Sequence, residues 1–168
     1  MSVRIIATGG TFDKRYDPVA GALAFGDSHL AEIVAQARIA HPVAVEVAML
    51  IDSLDMGDAH RAQVLAACRR APEPGIVVVH GTDTMVETAR VLGAAALDKT
   101  IVLTGAMVPY DIARSDAMFN LGFALGCVQA RPPGVYIAMN ARCHRWDAVR
   151  KNRALGLFER TARQDGTN

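Results

Sequence analysis

The stretch VVVHGTDTMVETA, residues 77–89, puts His80, Gly81, Thr82, Asp83 and Thr84 directly after an apolar run. A turn alone needs only Gly, Asn or Asp. Hydroxyls and a carboxylate at that place suit a reaction in which a hydroxyl nucleophile is activated by a neighbouring base. The same chemistry recurs along the chain. ATGGT supplies Thr8, Gly9, Gly10 and Thr11, IDSLD supplies Ser53 and Asp55, and LTGAM supplies Thr104 and Gly105. Glycines at such positions let backbone approach a ligand and leave N–H groups free to bind an oxyanion. Each segment by itself reads as a turn. Four of them, all at the ends of apolar runs, predict one shared ligand site, with threonine hydroxyls as nucleophile candidates and Asp83 and a lysine to organise proton transfer.

Other chemistries find less support. There is no GxGxxG, no GxxxxGK[ST] and no GxSxG in the chain, so phosphate-loop and nucleophile-elbow readings are demoted. Cys68, Cys127 and Cys143 are far apart and form no CxxC or Cys/His cluster, which argues against zinc and for reduced thiols in a cytoplasmic protein. No cofactor is implied. His29, His41, His60 and His144 fall in helix, turn or loop segments without a paired acid, and His80 reads best as a buried structural hydrogen bond.

Something must hold these residues at one edge. Apolar runs predict strands over 3–7, 43–50, 76–79, 100–103 and 135–139, alternating with helices over 29–40, 59–71, 84–97 and 116–130. Continuous apolar strands separated by helices indicate a doubly wound α/β fold: a mostly parallel sheet with helices on both faces, in a single domain. Ligands in such sheets bind beyond the carboxyl ends of the strands. The expected division is a catalytic domain over 1–158 and a polar tail over 159–168. Residues 9–28 show no clear periodicity and read as a lid that orders over ligand. From Arg142 to Arg163, seven Arg/Lys face only Asp147 and Glu159, which reads as a solvated basic face or as a site for an anion or an acidic partner.

The formal charge of +1 sets up no field that would select nucleic acid or an anionic membrane. The amino terminus leads straight into a predicted strand, so no signal peptide is expected, and the sequence holds no run of the roughly 18 apolar residues needed to span a bilayer. The expected ligand is a small molecule. Apolar residues make up 51% of the chain, enough to leave some for a homo-oligomer interface, with FNLGFALGCV and ALGLFE as candidate segments.

At the residues singled out above, the sequence resembles the bacterial-type L-asparaginases. ATGGTF resembles that family's first threonine motif and HGTDTMVETA its second. DSLDM resembles a substrate-loop motif, LTGAMVPYDIARSDAMFNLGFAL the segment after the fourth strand, and VYIAMN followed by Lys151 the region carrying a catalytic lysine. The matches run from Ile5 to about Lys151. The usual member is about twice as long, with a second domain that helps close the site, so the chain resembles a short-chain version of the amino-terminal catalytic domain. The resemblance implies hydrolysis of L-asparagine to L-aspartate and ammonia by double displacement. It implies Thr11 as nucleophile; Thr82, Asp83 and Lys151 as the second threonine and its acid–base partners; and Tyr16 as the lid tyrosine. Gly10, Asp52, Ser53, Gly81, Thr82 and Asp83 would bind substrate, Ser53 taking the α-carboxylate and Asp83 the α-ammonium. Many members have glutamine where this chain has Leu54. Two other readings remain open: a glutaminase-like protein supplying ammonia to a partner, and an amino-acid-binding module without turnover.

Overall fold

A computed structural model describes residues 1–161. The strands are β1 (Val3–Gly9), β2 (Lys14–Asp17), β3 (Ala22–Phe25), β4 (Val43–Ile51), β5 (Gly75–Val79), β6 (Thr100–Thr104), β7 (Gly134–Met139), β8 (Arg142–Arg145), β9 (Val149–Asn152) and β10 (Leu157–Arg160). The helices are α1 (Leu30–Gln36), α2 (Asp58–Arg70), α3 (Met85–Ala94) and α4 (Ala117–Ala130). Six strands form the main sheet in the order β4-β1-β5-β6-β7-β8. All neighbours in it run parallel except β7 and β8.

The apolar runs become strands buried on both faces because residues of opposite parity enter two separate cores. Val3, Ile5 and Ala7 of β1 join Val77 and Val79 of β5 under α1 and α4. Ile6, Ile76, Val78, Ile101 and Leu103 point the other way, onto Val64 and Cys68 of α2 and Met85, Ala89 and Leu92 of α3. The chain therefore winds helices onto both faces of a mainly parallel sheet, as the alternation predicted. The strand order reverses between β1 and β5, because β4 adds on one side of β1 and β5 on the other. A crevice opens at such a switch point, beyond the strand ends.

Far from those ends, the Arg4 guanidinium of β1 grips Glu73 through Nε (2.8 Å) and Nη2 (3.1 Å), and reaches Glu46 at 3.2 Å. The fork holds β1, β4 and the turn before β5 together.

Several elements differ from expectation. α1 stops at Gln36 instead of reaching residue 40, because Arg38 adopts a left-handed φ of 50°. α3 ends at Ala94 and is followed by Ala96 at φ 45°. The aperiodic segment 9–28 is not a bare loop. It is a short 3₁₀ turn, Thr11–Asp13, followed by the antiparallel hairpin β2–β3, with Tyr16 opposite Leu23. The hairpin's base is clasped by the buried Asp13, whose Oδ1 accepts from Ser28 Oγ and the His29 N–H, both at 3.0 Å. The basic stretch after residue 142 forms β8 and the hairpin β9–β10. Within it Arg145 pairs with Asp147 and Arg150 with Glu159. β10 runs to Arg160, and most of the expected tail, with Arg163, lies outside the described residues. Of the segments expected at an interface, α4 buries Leu121, Ala124 and Val128 and leaves Phe119 exposed, while β10 buries Phe158 and exposes Leu157. No helix among the described residues is long and apolar enough to cross a membrane.

Candidate active site

Four strand ends meet where the sequence placed them. The closest approach is between the turns after β1 and β5. Gly10 has φ 76°, and a β-carbon on it would overlap the Gly81 backbone. A β-carbon on Gly81 would in turn lie 2.6 Å from Ser53 Cβ and Oγ. Only residues without side chains allow three backbones to close in this way. Thr11, Ser53 and Thr82, each next to one of these contacts or part of it, are thereby gathered at the switch point. The Gly10 N–H donates to Ile51 O at 2.9 Å, fixing the β1 turn against the end of β4. Thr84 Oγ1 donates to Ser53 O at 2.7 Å, fixing the β5 turn against the segment after β4.

The chemistry-bearing contact comes from the far end of the chain. Lys151, on β9, donates from Nζ to Thr82 Oγ1 at 2.8 Å and to Asp83 Oδ1 at 2.7 Å. Its side chain is only 8% exposed, whereas that of Asp83 is 39% exposed. An ammonium so nearly buried needs such partners, because unpaired burial of charge is costly. Thr82 accepts from the lysine and directs its own hydroxyl toward Met107 Sδ at 3.6 Å. Sulfur is a weak acceptor, so this hydroxyl is only loosely committed.

His80 supports the same turn from beneath. It is fully buried. Its Nδ1 lies 2.7 Å from Gly81 O, which can only accept, so Nδ1 carries the proton. Nε2 then accepts from Thr88 Oγ1 at 2.8 Å. Burial pushes the imidazole pKa down to about 4, so the ring stays neutral near pH 7. This is the structural hydrogen bond expected of it.

Not every strand-end hydroxyl is available to a ligand. Thr8 Oγ1 donates to Val79 O at 2.9 Å and Thr104 Oγ1 to Ala138 O at 2.8 Å, both fully buried. These two stitch neighbouring strands. Asp52 is also engaged: Oδ2 takes Lys14 Nζ at 2.5 Å and Oδ1 takes the Leu54 N–H at 3.0 Å. The hydrogen bond from Lys14 holds its carboxyl below the usual range. Tyr16 is 58% exposed on the β2–β3 hairpin, opposite Leu23.

Sequence reasoning missed three supports. Lys14 ties the hairpin to the segment carrying Ser53. Asp116 accepts from the N–H groups of Met107 (3.0 and 3.1 Å) and Val108 (2.9 Å). Asn120 donates to Gly105 O and accepts from the Asn140 N–H, both at 3.0 Å, joining the loops after β6 and β7. Asp116 and Asn120 lie at the amino end of an apolar helix, and polar residues there signal capping of loop amides as readily as a ligand. No group of three or more His, Cys, Asp or Glu among the described residues could hold a metal.

The family profile described as "Asparaginase, N-terminal" matches residues 2–160. A glutamyl-tRNA(Gln) amidotransferase component from Thermococcus kodakarensis is 32% identical over 164 residues, covering 89% of this chain and 37% of the relative. The solved thermostable L-asparaginase from Thermococcus kodakarensis superposes with a TM-score of 0.85 at 27% identity, over 95% of this chain and 51% of that one. The probable cytoplasmic L-asparaginase from Campylobacter jejuni gives 0.80 at 30% identity, over 94% and 52%. The chain thus spans about half the length of these solved structures and 37% of the amidotransferase component. With the profile matched almost from end to end, the chain belongs to the asparaginase N-terminal family.

Proposed function

We propose that this chain is the catalytic domain of an amide hydrolase that converts L-asparagine and water to L-aspartate and ammonia. The observation that carries the reading is Lys151 Nζ bonded to both Thr82 Oγ1 and Asp83 Oδ1 beside the Gly10–Gly81 contact. Such an arrangement polarises a hydroxyl and supplies a route for its proton. The proposed reaction is double displacement. Thr11 Oγ attacks the side-chain amide carbon, the C–N bond breaks, and ammonia leaves with a proton relayed from the threonines. Water then hydrolyses the β-aspartyl ester, returning Thr11 to its hydroxyl form. N–H groups around Gly10 and Gly81 would hold the oxyanion; one donor of this kind is worth roughly 2.7–4 kcal/mol in comparable sites. Ser53 would take the α-carboxylate and Asp83, half-open to solvent, the α-ammonium. Tyr16, on the exposed β2–β3 hairpin, would serve as the lid tyrosine.

The likeness to an amidotransferase component favours a second reading, in which the same chemistry releases ammonia from an amide for a partner protein. Ammonia release from the purified protein separates the two. Turnover of free asparagine, lost in Thr11→Ala, is the expected result. Turnover of glutamine alone, or only with a partner present, would favour the second reading, and no turnover of either amide would favour a binding module.

We also propose a cytoplasmic homo-oligomer. Leu54, Met107 and Leu155, exposed by 63%, 43% and 64%, leave apolar surface around the site for a second copy to cover. Light scattering at micromolar concentration tests this, and a fully active monomer would refute it.

A further inference from the structure

Away from the strand-end site, Cys127 of α4 and Cys143 of β8 share one pocket. Both are free thiols. Cys143 lies opposite Ala138 in the antiparallel β7–β8 pair, and partners of this kind present side chains to the same face. Ala138 faces the core that contains Cys127, and Cys143 packs against that core. Cys143 is near enough to the Cys127 thiol to disfavour its ionisation. An open cavity of about 540 Å³ reaches both, walled by Gly122, Gly126 and Arg131 among others. Glycines four residues apart on α4 leave this wall low, so a small solute can reach the sulfurs. Cys68 lies in the core on the opposite face of the sheet, fully buried.

We infer that Cys127 and Cys143 form an oxidisable dithiol, which a peroxide entering this pocket converts to an internal disulfide tying α4 to β8. Cys143 is the more exposed and attacks first. Its thiolate displaces hydroxide from the peroxide and becomes a sulfenic acid, and the hydroxide takes up a proton to leave as water. The Cys127 sulfur then attacks the sulfenic sulfur, loses its proton, and a second water leaves. Two thiols are oxidised by two electrons in all, and hydrogen peroxide is reduced to two waters. Burial, reinforced by the Cys143 neighbour, pushes the Cys127 thiol up to about 12, which suits the resolving role better than the attacking one. The bond would tie α4, whose amino-terminal turn holds the Met107 and Val108 amides through Asp116, to the strand that leads toward Lys151.

The test uses the folded chain, hydrogen peroxide as probe, and mass spectrometry after thiol alkylation. The expected product is a single-chain mass lower by two hydrogen atoms, with one peptide pair joined through Cys127 and Cys143 and only Cys68 open to alkylation after unfolding. Dithiothreitol should restore all three thiols. Cys127→Ser should stop at a sulfenic acid on Cys143, and Cys143→Ser should not react. The wild-type peptide map decides the matter even if a variant folds poorly. Three alkylatable thiols after peroxide, disulfides only between chains, or a bond involving Cys68 would each overturn the inference.

Discussion

The floor of the site and the hairpin beside it are built by opposite means. The floor is the set of turns after β1, β4 and β5, where Thr82 and Ser53 are 6% and 1% exposed and glycine backbones touch. The β2–β3 hairpin leaves Tyr16 58% and Val19 96% exposed. It is held by polar contacts at its base: Asp13 to Ser28 and His29, and Lys14 to Asp52. The floor's position is set by the sheet's two cores. The hairpin's position depends on a few contacts that a change of charge could remove. Groups that react belong on the first, and groups that must come and go with substrate on the second.

The sharpest way to break this contrast is at the floor's chemistry. Thr82→Ala and Lys151→Met should each remove nearly all ammonia release with little loss of stability. Arg153 donates to the Asp83 carbonyl at 3.4 Å, and Arg153→Met should retain most of the release. Steady-state rates check this, and Lys151→Met retaining more than roughly a tenth of wild-type kcat would remove the lysine from the mechanism.

The next effect is on stability. The buried His80 has a pKa near 4 against 6.5 when unfolded, so between those values the unfolded chain binds the extra proton. Stability should fall as pH drops through that window, by roughly 2–4 kcal/mol. His144, lowered chiefly by burial, adds to the loss, whereas Asp13, raised chiefly by burial, opposes it. Urea midpoints from pH 7 to 4 should show a shallower acid limb in His80→Gln. An unchanged slope would mean the floor does not depend on a neutral imidazole.

Gly81→Ala should press a methyl group onto Ser53 and lower stability by about 1–3 kcal/mol, with an accompanying loss of turnover visible in thermal melts and rates. On the hairpin, Lys14→Met should raise KM for asparagine several-fold while changing kcat less, because Ser53 would lose its tether to the Thr11 segment. A purely catalytic loss would instead place Lys14 in the chemistry. The smallest change is expected from Tyr16→Phe, which keeps the hairpin and removes one hydroxyl; an effect as large as that of Lys151→Met would show that the hairpin shares the chemistry.

What the sequence disclosed follows the same division. Ile76–Val79 and Ile101–Leu103 were readable as strands because both faces are buried and every residue is apolar. Lys14–Asp17 and Ala22–Phe25 were not, because the hairpin turns little of itself to a core and so has no alternation to detect. β9 and β10 were hidden by their arginines, only Val149 and Phe158 being deeply buried. Likewise Thr82 and Asp83 were visible from their place after a strand. Their bond to Lys151 spans 69 and 68 positions, a distance that local patterning cannot bridge. Lys151 came from family resemblance, and Lys14, in no motif, was missed.

The position of β1 between β4 and β5 carries a consequence for biosynthesis. Val3 pairs with Val43 on one side and with Gly75 on the other. A parallel neighbour cannot come from a tight turn. The second edge of β1 must therefore wait until β5 has been made, roughly 4–14 s later at ordinary translation speeds. Through that interval a strand carrying Val3, Ile5, Ile6 and Ala7 has an unpaired side. Slower synthesis lengthens the wait, while cooling weakens the hydrophobic attraction that would draw it into aggregates. Yield of folded protein should fall as the interval before the last partner arrives is lengthened.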